Sequence, residues 1–287
     1  MSEPPMISMT EADAIASIKV DGMLAPVIDE FRPHHIVENA EWFDFARRFN
    51  RLGMRLMNDH VPSLNGKEIR HPVALIMRLT ARVAHSFGGA IVLAERGQTI
   101  EAQTVVRSIY ETGFWVAYIA KSPLAGSEDF ISEEMKSQLG RDKAAKKLMA
   151  DHPDVVRQID KQIAQTIQAR RGRREVPGIE QLATLGDFPD HFAYYKWLCG
   201  AAAHPTLLST TNYLSADDEE GFYGFAFGPD SARIGQTVGF ACHAFSITLL
   251  GMCRLLGFLG AQDEMLTYIA ELNALMASSE PPKRSAG

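Results

Sequence analysis

Apolar positions recur every three to four residues along most of this chain, a spacing that predicts helices. From Glu38 to His60, Phe45, Phe49, Leu52, Leu56 and Met57 form one stripe among polar residues, and Pro62 stops the pattern. Pro72 suits the first turn of a second helix that runs to about Glu95, with Gly97 as its stop. A third helix runs from about Gln98 to Lys121, ahead of Ser122-Pro123. A fourth covers about Glu128 to Ala150 and a fifth Asp154 to Arg171. Pro189 opens a sixth, through Tyr194 and Trp197 to about Ala203. Ser231 to Gly260 is a long apolar helix, and Asp263 to Ala277 is the last. Only Gly221 to Gly228 reads otherwise: alternating aromatic and small residues, after the acidic run Asp217 to Glu220, predict a short β-hairpin.

The expected fold is therefore all-α. A single helical bundle spans 34–278, built around the third and the long apolar helices, with a protruding basic helical pair at about 128–175. Residues 1–33, with prolines at 4, 5, 26 and 33, read as a loose arm with room for one short helix. The polar tail 279–287 reads as disordered.

Composition narrows the function classes. The formal net charge of -6 argues against a generic nucleic-acid coat and leaves room for a local basic patch. Cys199, Cys242 and Cys253 form no CxxC pair and read as buried free thiols of a reducing compartment. The first residues lack the basic region and apolar core of a secretory signal, so a cytoplasmic protein is expected. Val238 to Leu259 is long enough to cross a bilayer, but His243 and Arg254 interrupt it. A buried central helix or subunit interface is expected there, with no membrane contact, and the apolar helix faces point to a homodimer.

Four constellations could carry chemistry. Arg107 and Glu111 share a face of the third helix, and the run from Thr112 to Ala120 is apolar nearly all round. The pair is expected to be buried, either as a structural polar network or as a functional site. Tyr195 and His204 lie on the sixth helix and its end, where Pro205 pulls His204 out of helical geometry. His204 either caps that helix or reaches a ligand. Arg78, Arg82 and His85 share a face of the second helix, a solvated stripe or a site, and His243 lies in the long apolar helix. Finally, Arg141 to Arg174 holds ten of the 29 Lys and Arg residues and ends in Arg170, Arg171, Arg173 and Arg174. That segment is either a solvated helical pair or a phosphate-contacting arm. No metal-ligand spacing, GxGxxG, GxxxxGK[ST] or GxSxG is present, so no metal and no cofactor are expected.

The order RSxxE, an aromatic-apolar run, then a Tyr-rich helix ending His204-Pro205 resembles a widespread prokaryotic family of helical proteins of unknown function, over roughly residues 40–260. The architecture is also distantly similar to HEPN-type ribonucleases of toxin and phage-defence systems. In that pattern arginine, a polar neighbour and histidine share one helix. Here Lys196 precedes His204, and Arg78, Arg82 and His85 lack the polar neighbour. The resemblance implies RNA-directed action, with His204 as general acid or base, Arg107 stabilising phosphate charge, Glu111 orienting them, and Tyr195 completing the site. The alternative is a non-catalytic helical module binding a small anionic ligand or a partner protein.

Overall fold

The structure is a computed structural model, and it describes residues 11–217, 221–225, 228–257 and 259–278. These form twelve α-helices and one antiparallel hairpin. The helices are α1 (Glu11–Asp21), α2 (Val27–Glu38), α3 (Ala40–Asp59), α4 (Pro72–Glu95), α5 (Thr99–Lys121) and α6 (Pro123–Leu148). They continue with α7 (Pro153–Arg170), α8 (Ile179–Leu185), α9 (His191–Leu198), α10 (Leu207–Thr211), α11 (Ile234–Leu256) and α12 (Leu259–Ser278). Strands β1 (Leu214–Asp217) and β2 (Gly221–Phe225) pair with Leu214 opposite Phe225. The hairpin expected within Gly221 to Gly228 thus supplies only its second strand from that segment. Residues 218–220, which join the strands, and the tail 279–287 lie outside the described residues.

The all-α bundle is centred as the apolar pattern implies, on α5 against α11, with α4 packed on both. Glycine permits the close approach. A Cβ on Gly113 would stand 3.2 Å from Thr248 Oγ1, and one on Gly251 would stand 2.9 Å from Val116 Cγ1 and 3.2 Å from the Ala117 backbone. Any larger residue at Gly251 forces the helices apart. Tyr110, Phe114, Phe245 and Ile247 fill the seam and are fully buried. α11 is apolar and long enough to cross a membrane, yet 78% of its most apolar window is buried inside the fold. It is a core helix of this bundle.

The N-terminal region differs from the loose arm expected over 1–33. From residue 11 it forms α1 and α2, which bury Ala14, Ile18, Val27 and Ile28 in a small cluster of their own. Polar contacts then join α2 to the bundle. Arg32 Nε donates to Glu95 Oε2 at 2.8 Å, Arg47 of α3 donates to Glu95 Oε1 at 3.1 Å, and the His35 ring lies 3.1 Å from the Glu95 carbonyl oxygen. Glu95 is only 5% exposed, so two guanidiniums are what make its burial tolerable. The basic pair expected at about 128–175 is the α6–α7 hairpin. α6 begins at Pro123, because proline is tolerated in the first turn and Gly126 fits against the Ile119 backbone.

Candidate functional site

Arg107 and Glu111 lie on α5, one turn apart, and face α9. Arg107 Nε lies 3.1 Å from Cys199 Sγ, its Nη2 donates to the Tyr195 hydroxyl at 3.0 Å, and its Nη1 lies 3.4 Å from Glu111 Oε2. The guanidinium also sits 5.1 Å from the centre of the Tyr195 ring. All three nitrogens therefore have internal partners. Burial, above all, pushes the Tyr195 hydroxyl up to about 12, so it stays neutral near pH 7. The structure joins Arg107, Glu111 and Tyr195 as expected and adds Cys199. It differs in depth: the Arg107 and Glu111 side chains are 25% and 39% exposed rather than buried.

His204 does not join them. α9 continues into a π-helical turn, Cys199–Ala203, in which the His204 amide donates to the Cys199 carbonyl at 3.1 Å. Pro205 then holds His204 extended, at φ -112 and ψ 144. The wide turn and the extended exit leave its ring exposed, and among the described residues no hydrogen bond or ion pair joins that ring to Arg107 or Glu111. An acid–base pairing of His204 with Arg107 is thus not assembled.

The imidazoles that do meet are His191 of α9 and His243 of α11, stacked with centroids 4.4 Å apart. Tyr110, fully buried, reaches His243 Nδ1 at 3.2 Å. Burial, with His191 beside it, pulls His243 down to about 4, and burial also lowers His191. Both rings are neutral near pH 7. Among the described residues no group of three or more His, Cys, Asp or Glu is placed to hold a metal.

The basic segment divides in two. Arg174 grips Asp129, which is 2% exposed: its Nε donates to Oδ1 at 2.7 Å, and a second nitrogen reaches Oδ2 and the Tyr118 hydroxyl. That arginine ties the chain after α7 to α5 and α6, and its charge is neutralised internally. Arg171 and Arg173 are exposed, and Arg173 donates to the Ala169 carbonyl at 3.1 Å. Neither has an ion-pair partner among the described residues. Arg170 is half-buried, with its Nε sealed from solvent and unpartnered there.

A basic cleft of about 650 Å³ lies between α4 and α6. Leu75, Leu79, Phe130, Ile131 and Met135 give it an apolar lining, and Arg70, Arg78, Arg82 and Glu134 line it with charge. α4 buries Leu75, Leu79 and Val83 and so turns Arg78, Arg82 and His85 to solvent. Among the described residues no carboxylate pairs with Arg70, Arg78 or Arg82; Arg78 has only a long contact, 3.5 Å, to the Ile69 carbonyl. An adjoining hollow shares Arg70, Glu134 and Met135 and adds Gln165, Thr166 and Ala169 of α7. Ala169 also borders the hollow that Arg171 and Arg173 line. The Arg78–Arg82–His85 face follows from helical spacing, whereas the joining of Arg70 and Glu134 to it does not.

A protein family described as "Family of unknown function (DUF5677)" matches residues 73–222, and the chain belongs to that family. No curated protein and no solved structure matches it.

Proposed function

We propose that this member of the DUF5677 family is an RNA-directed protein that holds a single strand across the arginine-lined cleft between α4 and α6. One observation carries the reading. Among the described residues Arg70, Arg78 and Arg82 meet at one cleft without a carboxylate in ion-pair contact, in a chain of net charge -6. Elsewhere Arg32, Arg47, Arg48, Arg55 and Arg174 are paired with acids. Clustered, unneutralised guanidiniums are what a phosphodiester backbone recruits. Arg171 and Arg173, on the adjoining surface, extend the basic track.

Cleavage of the bound strand, in the manner of a HEPN-type toxin or phage-defence ribonuclease, is a second reading. It is supported by His85, which shares the exposed α4 face with Arg78 and Arg82. A small anionic ligand bound without chemistry is the competing reading, supported by the apolar lining of the cleft. Three free, buried cysteines support a reducing, cytoplasmic setting. Exposed Trp197, Leu207, Tyr213 and Phe225, all within one stretch of chain, support a homodimer.

The test is a fluorescence-anisotropy titration of a labelled single-stranded RNA, with the same mixture run on a denaturing gel. The proposal expects saturable binding that Arg78→Gln/Arg82→Gln weakens severalfold while the melting temperature holds. Shortened RNA that depends on His85 would establish the ribonuclease reading. Equal binding by wild type and the double variant would overturn the assignment to this cleft.

A further inference from the structure

Glu134 is out of place in a cleft proposed to bind phosphates. It lines the cleft together with Arg70, Arg78 and Arg82, where a carboxylate repels a polyanion. Its Oε1 accepts from Arg141 at 2.7 Å, and Arg141 is in turn fixed by Ser137 and Gln138, each at 2.7 Å. The carboxylate is thereby held on α6 with Oε2 unbonded among the described residues. Beside it the lining is apolar, with Phe130 and Ile131 on α6 and Leu79 on α4. An apolar lining of that kind accepts the face of a planar ring and offers nothing to a phosphate.

We infer that the cleft is a guanine-selective nucleotide subsite, in which Glu134 reads the base while Arg70, Arg78 and Arg82 hold the adjoining phosphates. This rests on the RNA-directed reading for its strand, but the base chemistry stands separately. Guanine is the base whose Watson–Crick edge sets two N–H donors side by side, N1–H and the N2 amino group. A carboxylate accepts both at once. Adenine and cytosine offer it one exocyclic amino group beside an acceptor nitrogen, and uracil offers one N3–H between two carbonyls. An acceptor nitrogen or carbonyl facing an ionised carboxylate is repulsive, so discrimination comes from both signs. The cleft's volume of about 650 Å³ is ample for one nucleotide with its flanking phosphates.

The experiment compares an all-uridine decamer and uridine decamers carrying one central guanosine, inosine, adenosine or cytidine, together with free guanosine and adenosine monophosphates. Binding is read with wild type and with Glu134→Gln, whose exposed side chain loses one surface ion pair. The inference expects the guanosine decamer to bind roughly fivefold to a hundredfold tighter than the adenosine or cytidine decamers, the range that a bidentate base contact supplies. Inosine, which keeps N1–H and lacks the amino group, falls between. Glu134→Gln abolishes the preference yet binds the all-uridine decamer more tightly, because a repulsive charge has gone. A merely structural Glu134 would not reverse sign in that way. RNA binding without base preference overturns the inference and leaves the RNA-directed reading intact. No RNA binding, with guanosine monophosphate held over adenosine monophosphate through Glu134, overturns the RNA-directed reading and keeps the subsite. Failure of every ligand overturns both.

Discussion

His191 and His243 stack with their ring planes only 18° apart, at 4.4 Å between centroids, and so join α9 to the central helix α11. Tyr110 bonds His243, Tyr194 meets it edge-on at 5.3 Å, and Phe188 meets His191 at 5.2 Å. Among the described residues, the charge acting in favour of protonation is Asp190, on His191. An unfolded chain takes up protons at both histidines near pH 6.5, whereas folded His243 resists until about 4. The unfolded state therefore binds more protons between those values. Stability is full above about pH 6.5 and falls as pH drops toward 4. His243 alone accounts for up to about 3 kcal/mol, because each pH unit over which the fold keeps its ring unprotonated is worth about 1.4 kcal/mol. Urea denaturation at pH 7 and pH 4.5 should show the loss, and His243→Phe should flatten it. Equal acid sensitivity in wild type and His243→Phe would show that the pair is not the source.

Around Arg107 the structure predicts a scaffold. Glu111→Gln breaks a long, part-exposed ion pair and should cost under about 1 kcal/mol. Arg107→Met strips the Tyr195 hydroxyl and Cys199 of their partner and should cost about 1–3 kcal/mol. Neither change, nor His204→Ala, should alter RNA affinity. An affinity loss in any of the three, with the fold intact, would return the site to α5 and α9.

Asp129 and Arg174 predict the opposite profile from Arg171 and Arg173. Asp129→Asn leaves Arg174 and Tyr118 without their carboxylate and should destabilise by about 2–3 kcal/mol, a figure held down by the exposure of Arg174. Arg174→Gln should likewise lower the melting temperature while leaving RNA affinity nearly unchanged. Arg171→Gln/Arg173→Gln should weaken RNA binding with little effect on melting. Thermal scans and titrations on the same preparations separate the two classes.

Where a boundary was set by local chemistry, the sequence was enough. α4 runs from Pro72 to Glu95 as its flanking proline and Gly97 imply, and Gly97 has the positive φ, 73°, expected after a helix. α8 and α10 were not legible, because seven and five residues are too short for a helical period to stand out. α8 is nonetheless fixed by Leu182 and Ala183, both fully buried. The Arg107–Tyr195 contact was legible from apolar context around both residues. The separation of His204 from it was not, because a π-helical turn is a tertiary choice with no marker in Cys-Gly-Ala-Ala-Ala. The cleft was half legible. Spacing put Arg78 and Arg82 on one helix face, but Arg70 and Glu134 reach it from another loop and another helix, a proximity that only packing creates.

Contact between RNA phosphates and the Arg78–Arg82 pair is tested most directly by the salt dependence of RNA binding. For a single strand, log of the association constant falls with log of salt by about 0.7 per phosphate contacted. Wild type and Arg78→Gln/Arg82→Gln are titrated with the same RNA across a series of salt concentrations, with Arg55→Gln as a control, since Arg55 is paired with Glu264 outside the cleft. The expected result is a slope shallower by about 1.4 in the double variant, the equivalent of two lost contacts, and an unchanged slope in the control. A double variant with the wild-type slope would contradict it.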